Sequence, residues 1–99
     1  MTIVNSPTYT IVPQDGYVWV NSTIGPINIS LPSSVANQAN SFTLSDGGNM
    51  AATNNIIILP YMDDNFLRAG PGVPWVINGN GYIMRFIADG FGNWQGYGS

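Results

Sequence analysis

The 99-residue chain contains no cysteine, no histidine, no lysine and no glutamate. Without cysteine there is no disulfide, no thiolate metal site and no thiol redox chemistry, and the compartment stays open. Without histidine the commonest general base and metal ligand is missing, which leaves five aspartates and the hydroxyls for any chemistry. Charged residues are 7% of the chain, against roughly 25% in an average soluble domain. The side-chain cations are Arg68 and Arg85 and the net charge is −3, a balance that argues against a nucleic-acid partner. Apolar runs such as Ile56 to Leu59 are far too short to cross a bilayer, so no membrane partner is expected. The stretch MTIVNSPTYT lacks the basic start and long apolar core of a signal peptide. Asn21-Ser22-Thr23 and Asn28-Ile29-Ser30 match the glycosylation sequon, but in so asparagine-rich a chain they read as chance matches.

What remains is a polar surface of Asn, Ser, Thr and Gln wrapped around short apolar alternations. The length suits one domain spanning residues 1–99 with a small core, near the size where association adds useful burial. The segment Asp15 to Pro32 carries two alternating runs, Tyr17–Val20 and Ile27–Leu31, joined by a loop with Gly25-Pro26, and reads as a β-hairpin. Val18 and Val20 share one face of the first run; Ile27, Ile29 and Leu31 share one face of the second. Short strands are expected at Thr2 to Val4, Thr8 to Val12 and Ser41 to Ser45. Ser33 to Asn40 is read as loop, and Ile56 to Leu59, being β-branched and continuous, as a strand buried on both faces. Trp75 to Asn78 and Tyr82 to Ala88 read as a second hairpin, and a turn at Asp89-Gly90 leads to a last strand around Trp94. The two Asp-Gly turns at Asp46 and Asp89 have unlike flanks, so no solenoid is expected. The fold class is all-β: an antiparallel sandwich or barrel of about eight short strands.

Catalytic constellations are weak. Tyr61-Met62-Asp63-Asp64 matches the tetrapeptide with which reverse transcriptases hold divalent metals, but a short acidic chain has no room for the third carboxylate, nucleotide pocket and basic channel that chemistry needs. Calcium at Asp63, Asp64 and Asn65 lacks the D-x-D-x-N spacing, and solvated acids are the reading preferred. Asp15, Asp46 and Asp89 each precede glycine and are assigned to turns. No catalytic residue, cofactor or metal is therefore expected, and no hydrolase or transferase activity. The aromatics Tyr9, Tyr17, Trp19, Trp75, Tyr82, Trp94 and Tyr97 fall at strand periodicity and read first as core or interface, second as a sugar-stacking platform.

Three stretches, DGYVWVNSTIGPINISLP, SFTLSDGGNMAATNNIIILP and WVINGNGYIMRFIADGFGNW, together resemble a β-structured module of bacteriophage virion proteins, including tail fibres, head fibres and small capsid-attached proteins. The matching features are the Asp15-Gly16 start, Pro32 closing its strand, Asp46-Gly47 with Asn54-Asn55 before the isoleucines, and Asp89-Gly90 before Trp94. These are turn and core positions, so the resemblance implies fold more than role. It implies a homotrimeric virion protein. A chain whose first strand starts almost at Met1 suits a capsid decoration protein on the major capsid protein; the alternative is a fibre tip that binds host-surface glycan or receptor. Two places depart from the module and are where the chain's own contacts are expected: the extra Phe91-Gly92 before Asn93-Trp94, and the segment Tyr61 to Pro74, read as a long exposed excursion. Its Tyr61, Met62, Asp63, Asp64, Phe66, Leu67 and Arg68 are the expected protein interface, apolar anchors beside charge. The competing reading folds Phe66 and Leu67 back as a lid on the domain's own core.

Overall fold

The structure is a computed structural model that describes residues 1–66 and 70–98. It is all-β, with eleven strands among the described residues, a single turn of 3-10 helix at Val35–Asn37 and no α-helix. Seven strands form one sheet: β1 (Thr2–Val4), β3 (Tyr17–Val20), β5 (Ser41–Asp46), β10 (Ile83–Ala88), β11 (Asn93–Gly98), β7 (Asn65–Phe66) and β8 (Gly70–Pro71), in that spatial order. Four form the other: β2 (Thr8–Thr10), β4 (Ile27–Ser30), β6 (Ile56–Leu59) and β9 (Trp75–Ile77).

The first six strands alternate between the sheets, and within each sheet they run parallel. The chain therefore coils through three turns, which overturns the expectation that no solenoid-like course exists here. Its turns are unequal. Thr2 pairs with Val18 sixteen residues on, whereas Val18 pairs with Leu44 twenty-six residues on. A coil without a constant period leaves no repeat for a sequence comparison to find. After β6 the chain adds antiparallel strands: β9 beside β6, and β10 between β5 and β11. Both sheets are therefore mixed rather than antiparallel.

Two expected hairpins are corrected by this course. Strands β3 and β4 lie in different sheets, as do β9 and β10. Loop 21–26 carries the chain across the core instead of folding it back, so Val18 and Val20 face Ile27 and Ile29 from the opposite side. Alternation reports which side chains are buried; it does not say which strand is the neighbour. The turn at Asp89-Gly90 does close a hairpin, β10 with β11, and Gly90 takes a φ of 83° there.

The core is one cluster drawn from both sheets. It includes Val18, Val20, Phe42, Leu44, Phe86 and Trp94 from the larger sheet and Ile27, Ile29, Ile56, Ile58 and Ile77 from the smaller. Parallel register stacks like on like, Ile27 on Ile56 and Ile29 on Ile58. Strand β6 is buried on one face only: Ile56 and Ile58 point in, while Ile57 and Leu59 are half-buried. The supposed excursion 61–74 is also corrected, since β7 and β8 extend the larger sheet beside β11.

Candidate functional site

The alternating course sends successive loops to opposite ends of the molecule. Loops 11–16, 31–40, 60–64, 72–74 and 89–92 gather at one end, and loops 5–7, 21–26, 47–55 and 78–82 at the other. Each end is tied by a buried aspartate, Asp64 at the first and Asp46 at the second.

At the Asp64 end, the Asp64 carboxylate accepts the Ser34 amide at 2.8 Å, and its backbone carbonyl accepts the Gly72 amide. The Ser34 hydroxyl, fully buried, has one proton to share between the Asn93 carbonyl at 2.8 Å and Asp89 Oδ1 at 3.2 Å. Asp89 also accepts the amides of Phe91 and Asn93 and the Asn93 side-chain amide. Asn65 donates its amide to the Gly92 carbonyl. Four loops are thus joined into one frame. Burial raises the Asp89 carboxyl, but the Phe91 amide, the two Asn93 donors and Ser34 outweigh it and hold its pKa below the ordinary value.

A fifth loop at this end is held by Asp15, which accepts the Thr2 hydroxyl at 2.7 Å, the Tyr9 phenol at 2.8 Å and the Val12 amide at 2.9 Å. This carboxylate staples β1 to β2 across the two sheets. Burial raises its pKa, yet the Val12 amide, both hydroxyls and the N-terminal ammonium bring it below the ordinary value. Burial and the neighbouring Asp15 push the Tyr9 phenol up. The turn roles expected for Asp15 and Asp89 agree with these contacts.

The expected interface residues divide. Tyr61, Met62 and Asp63 are exposed, Met62 to 75%. Asp64 turns inward to Ser34 and offers no free carboxylate. Phe66 is 0% exposed; its ring packs edge-on against Trp75 and tilted against Phe86. The lid reading therefore holds for Phe66, and its place in an interface is withdrawn, because strand β7 aims it into the core. Leu67 and Arg68 lie outside the described residues.

The frame brings Val35, Val73 and Phe91, the last 81% exposed, to the same end, where Val12 of the fifth loop is also exposed. The sequence marked Val73, inside the 61–74 segment, and Phe91, in the extra Phe91-Gly92 that departs from the module; Val35, a lone apolar residue in a polar stretch, carried no signal. Their grouping follows from Ser34, Asp64 and Asp89 being bonded together, contacts between residues far apart in the chain.

The Asp46 end is different in character. Asp46, 5% exposed, accepts the amides of Met50, Ala51 and Gly81 and so ties loop 47–55 to loop 78–82. Asn80 accepts the Ala52 amide, and the Asn54 side chain donates to the Ser22 carbonyl. Seven of the twelve asparagines sit in the loops of this end. A recess of about 230 Å³ opens there between Asn5, Pro7, Asn21 and Pro26.

The outer faces of the sheets also differ. On the larger sheet, register places Tyr17, Thr43, Arg85 and Tyr97 in one cross-strand row, and Ile3, Trp19, Ser45 and Ile83 in the next. The Tyr17 hydroxyl donates to Ser45 at 3.0 Å, and the Trp19 ring lies against Gly47, leaving no space for a Cβ there. Arg85 is exposed and donates to Ser41 at 3.0 Å. On the smaller sheet the corresponding positions are Thr8, Asn28, Ile57 and Val76. Of the seven candidate platform aromatics, Trp94 is in the core and Tyr9 and Trp75 pack against it; Tyr17, Trp19, Tyr82 and Tyr97 reach the surface.

Among the described residues no three carboxylates converge as a metal site. No protein-family model matches the chain, and no curated protein matches it in sequence.

Proposed function

We propose that this chain is a bacteriophage virion structural protein, a small β-sandwich without enzymatic activity that decorates the head by binding the major capsid protein as a homotrimer. The observation that carries the reading is the Asp64 end. Val35, Tyr61, Met62, Val73 and Phe91 stand exposed on loops cross-linked by the Asp64–Ser34–Asp89 hydrogen bonds. Apolar anchors on a fixed frame lose little conformational freedom on docking, which is the requirement of a protein interface. The sequence resemblance supplies the virion context, and the scarcity of charge suits a surface covered by neighbours.

Copy number in purified particles tests the location: hundreds of copies fit head decoration, a handful a tail. Light scattering at micromolar concentration tests assembly, and a monomer mass from folded protein rejects the trimer. A second reading, a fibre-tip module that meets host glycan, is favoured by the row Tyr17, Thr43, Arg85, Tyr97 on the larger sheet.

A further inference from the structure

We infer that the outer face of the larger sheet binds an acidic polysaccharide, with Arg85 taking a sugar carboxylate between the rings of Tyr17 and Tyr97. The inference deepens the second reading above and rests on the chain meeting a glycan at all.

Three observations place the ligand. First, Arg85 is the side-chain cation of the described residues, and register puts it on the outer face of the larger sheet, where its guanidinium donates to Ser41. None of the five aspartates is on that face: Asp15, Asp63, Asp64 and Asp89 belong to the Asp64 end, and Asp46 is buried. In a chain of net charge −3 this is where a side chain offers an anionic group a cation with no aspartate beside it. A guanidinium matches a carboxylate by paired, parallel hydrogen bonds.

Second, the row has the right walls. Tyr17 and Tyr97 are exposed and stand three strands apart, roughly 14 Å at the usual strand spacing, with Thr43 and Arg85 between them. An exposed phenol offers an apolar face to a pyranose ring and a hydroxyl at its edge. The Tyr17 phenol is fixed by Ser45, so the first wall is already ordered.

Third, sugar-hydroxyl partners lie on the same face: Thr43 in the row itself, and Ser41 and Gln95 in the row on its other side, flanking Ile87. The same rows on the smaller sheet carry no cation and no aromatic ring.

The probe is affinity electrophoresis of the full chain in gels containing polygalacturonate, polysialic acid or neutral dextran. Retardation by an acidic polymer, weakened by salt, is expected, with none by dextran. Arg85→Gln should weaken the retention at least tenfold, Arg85→Lys should restore part of it, and Tyr97→Ser should weaken it with the circular dichroism unchanged. Because Arg85 is exposed, its variants test the idea even if Tyr97→Ser fails to fold. Retention that survives Arg85→Gln overturns the inference. Retention by dextran alone overturns the acidic ligand and leaves the glycan reading standing. Absence of retention in all three gels overturns both. If Arg85→Gln instead lowers the mass of an oligomer, the face is an interface between copies and the inference falls.

Discussion

The two ends of this molecule meet the same structural demand with opposite surfaces. At each, loops from several strands must be held together without a disulfide, and at each a buried aspartate accepts a backbone amide from a distant loop. Around Asp46 the loops are dressed mainly in asparagine, glycine, serine and threonine, and Ile24 and Tyr82 are the large apolar side chains that stand clear. Around Asp64 they carry Val35, Tyr61, Met62, Val73 and Phe91. Since the frames are alike, the difference lies in what is displayed. An end that needed only to be closed would gain nothing from apolar display, and the partner contact proposed for the Asp64 end rests on that contrast.

The sharpest way to separate frame from display is inside one segment. Phe66→Ala should cost roughly 3–5 kcal/mol in urea unfolding, because a fully buried ring touching Trp75 and Phe86 is deleted. Met62→Ser, four residues away, should stay within about 0.5 kcal/mol while abolishing particle attachment. If Met62→Ser unfolds the chain, or attaches normally, the division fails.

The frames themselves should differ in strength. Asp46→Ala strands three backbone donors and should cost roughly 3 kcal/mol, whereas Asp64→Ala strands the Ser34 amide and should cost about half of that. Equal losses would mean that the two aspartates do not work in proportion to the amides they accept.

Acid sharpens the comparison from another side. The Asp15 and Asp89 carboxyls, both at the Asp64 end, have folded pKa values below the ordinary one near 3.9. Their contribution to stability is whole above that ordinary value and is lost as the pH falls through the depressed folded values. Protection of the Val12, Phe91 and Asn93 amides from hydrogen exchange should therefore decline in that window. Unchanged protection down to about pH 2 would contradict the linkage.

The smallest effect is expected at Ile24. Ile24→Ser should leave stability within about 0.5 kcal/mol and should leave attachment intact, unlike Phe91→Ser. Loss of attachment with Ile24→Ser would place the working surface at the wrong end.

Much of this was legible in the sequence. Alternation around Val18, Val20, Ile27, Ile29, Phe42 and Leu44 marked the inward faces, and Asp-Gly pairs marked the turns. Strand partners were not legible, because a facing strand across the core and a neighbour in a hairpin impose the same alternation on β3 and β4. Phe66 looked exposed because its neighbours Met62 and Asp63 are; the two-residue strand that turns it inward is too short to leave a period. Val35 was missed because no local pattern joins it to Phe91, only Ser34 reaching Asp89.

The coiled course also constrains how the chain is made. Among the described strands, those adjacent in sequence pair with each other only at β7–β8 and β10–β11. A ribosome that has released the chain through Leu59 has delivered six strands, none paired with its predecessor, with β5 and β6 still open toward β10 and β9. No early hairpin can nucleate, and every pairing there must close a long loop first, which slows folding. Early pairing is thus slow, and truncation before β10 should leave the β5 edge unpaired and the shortened chain prone to aggregate.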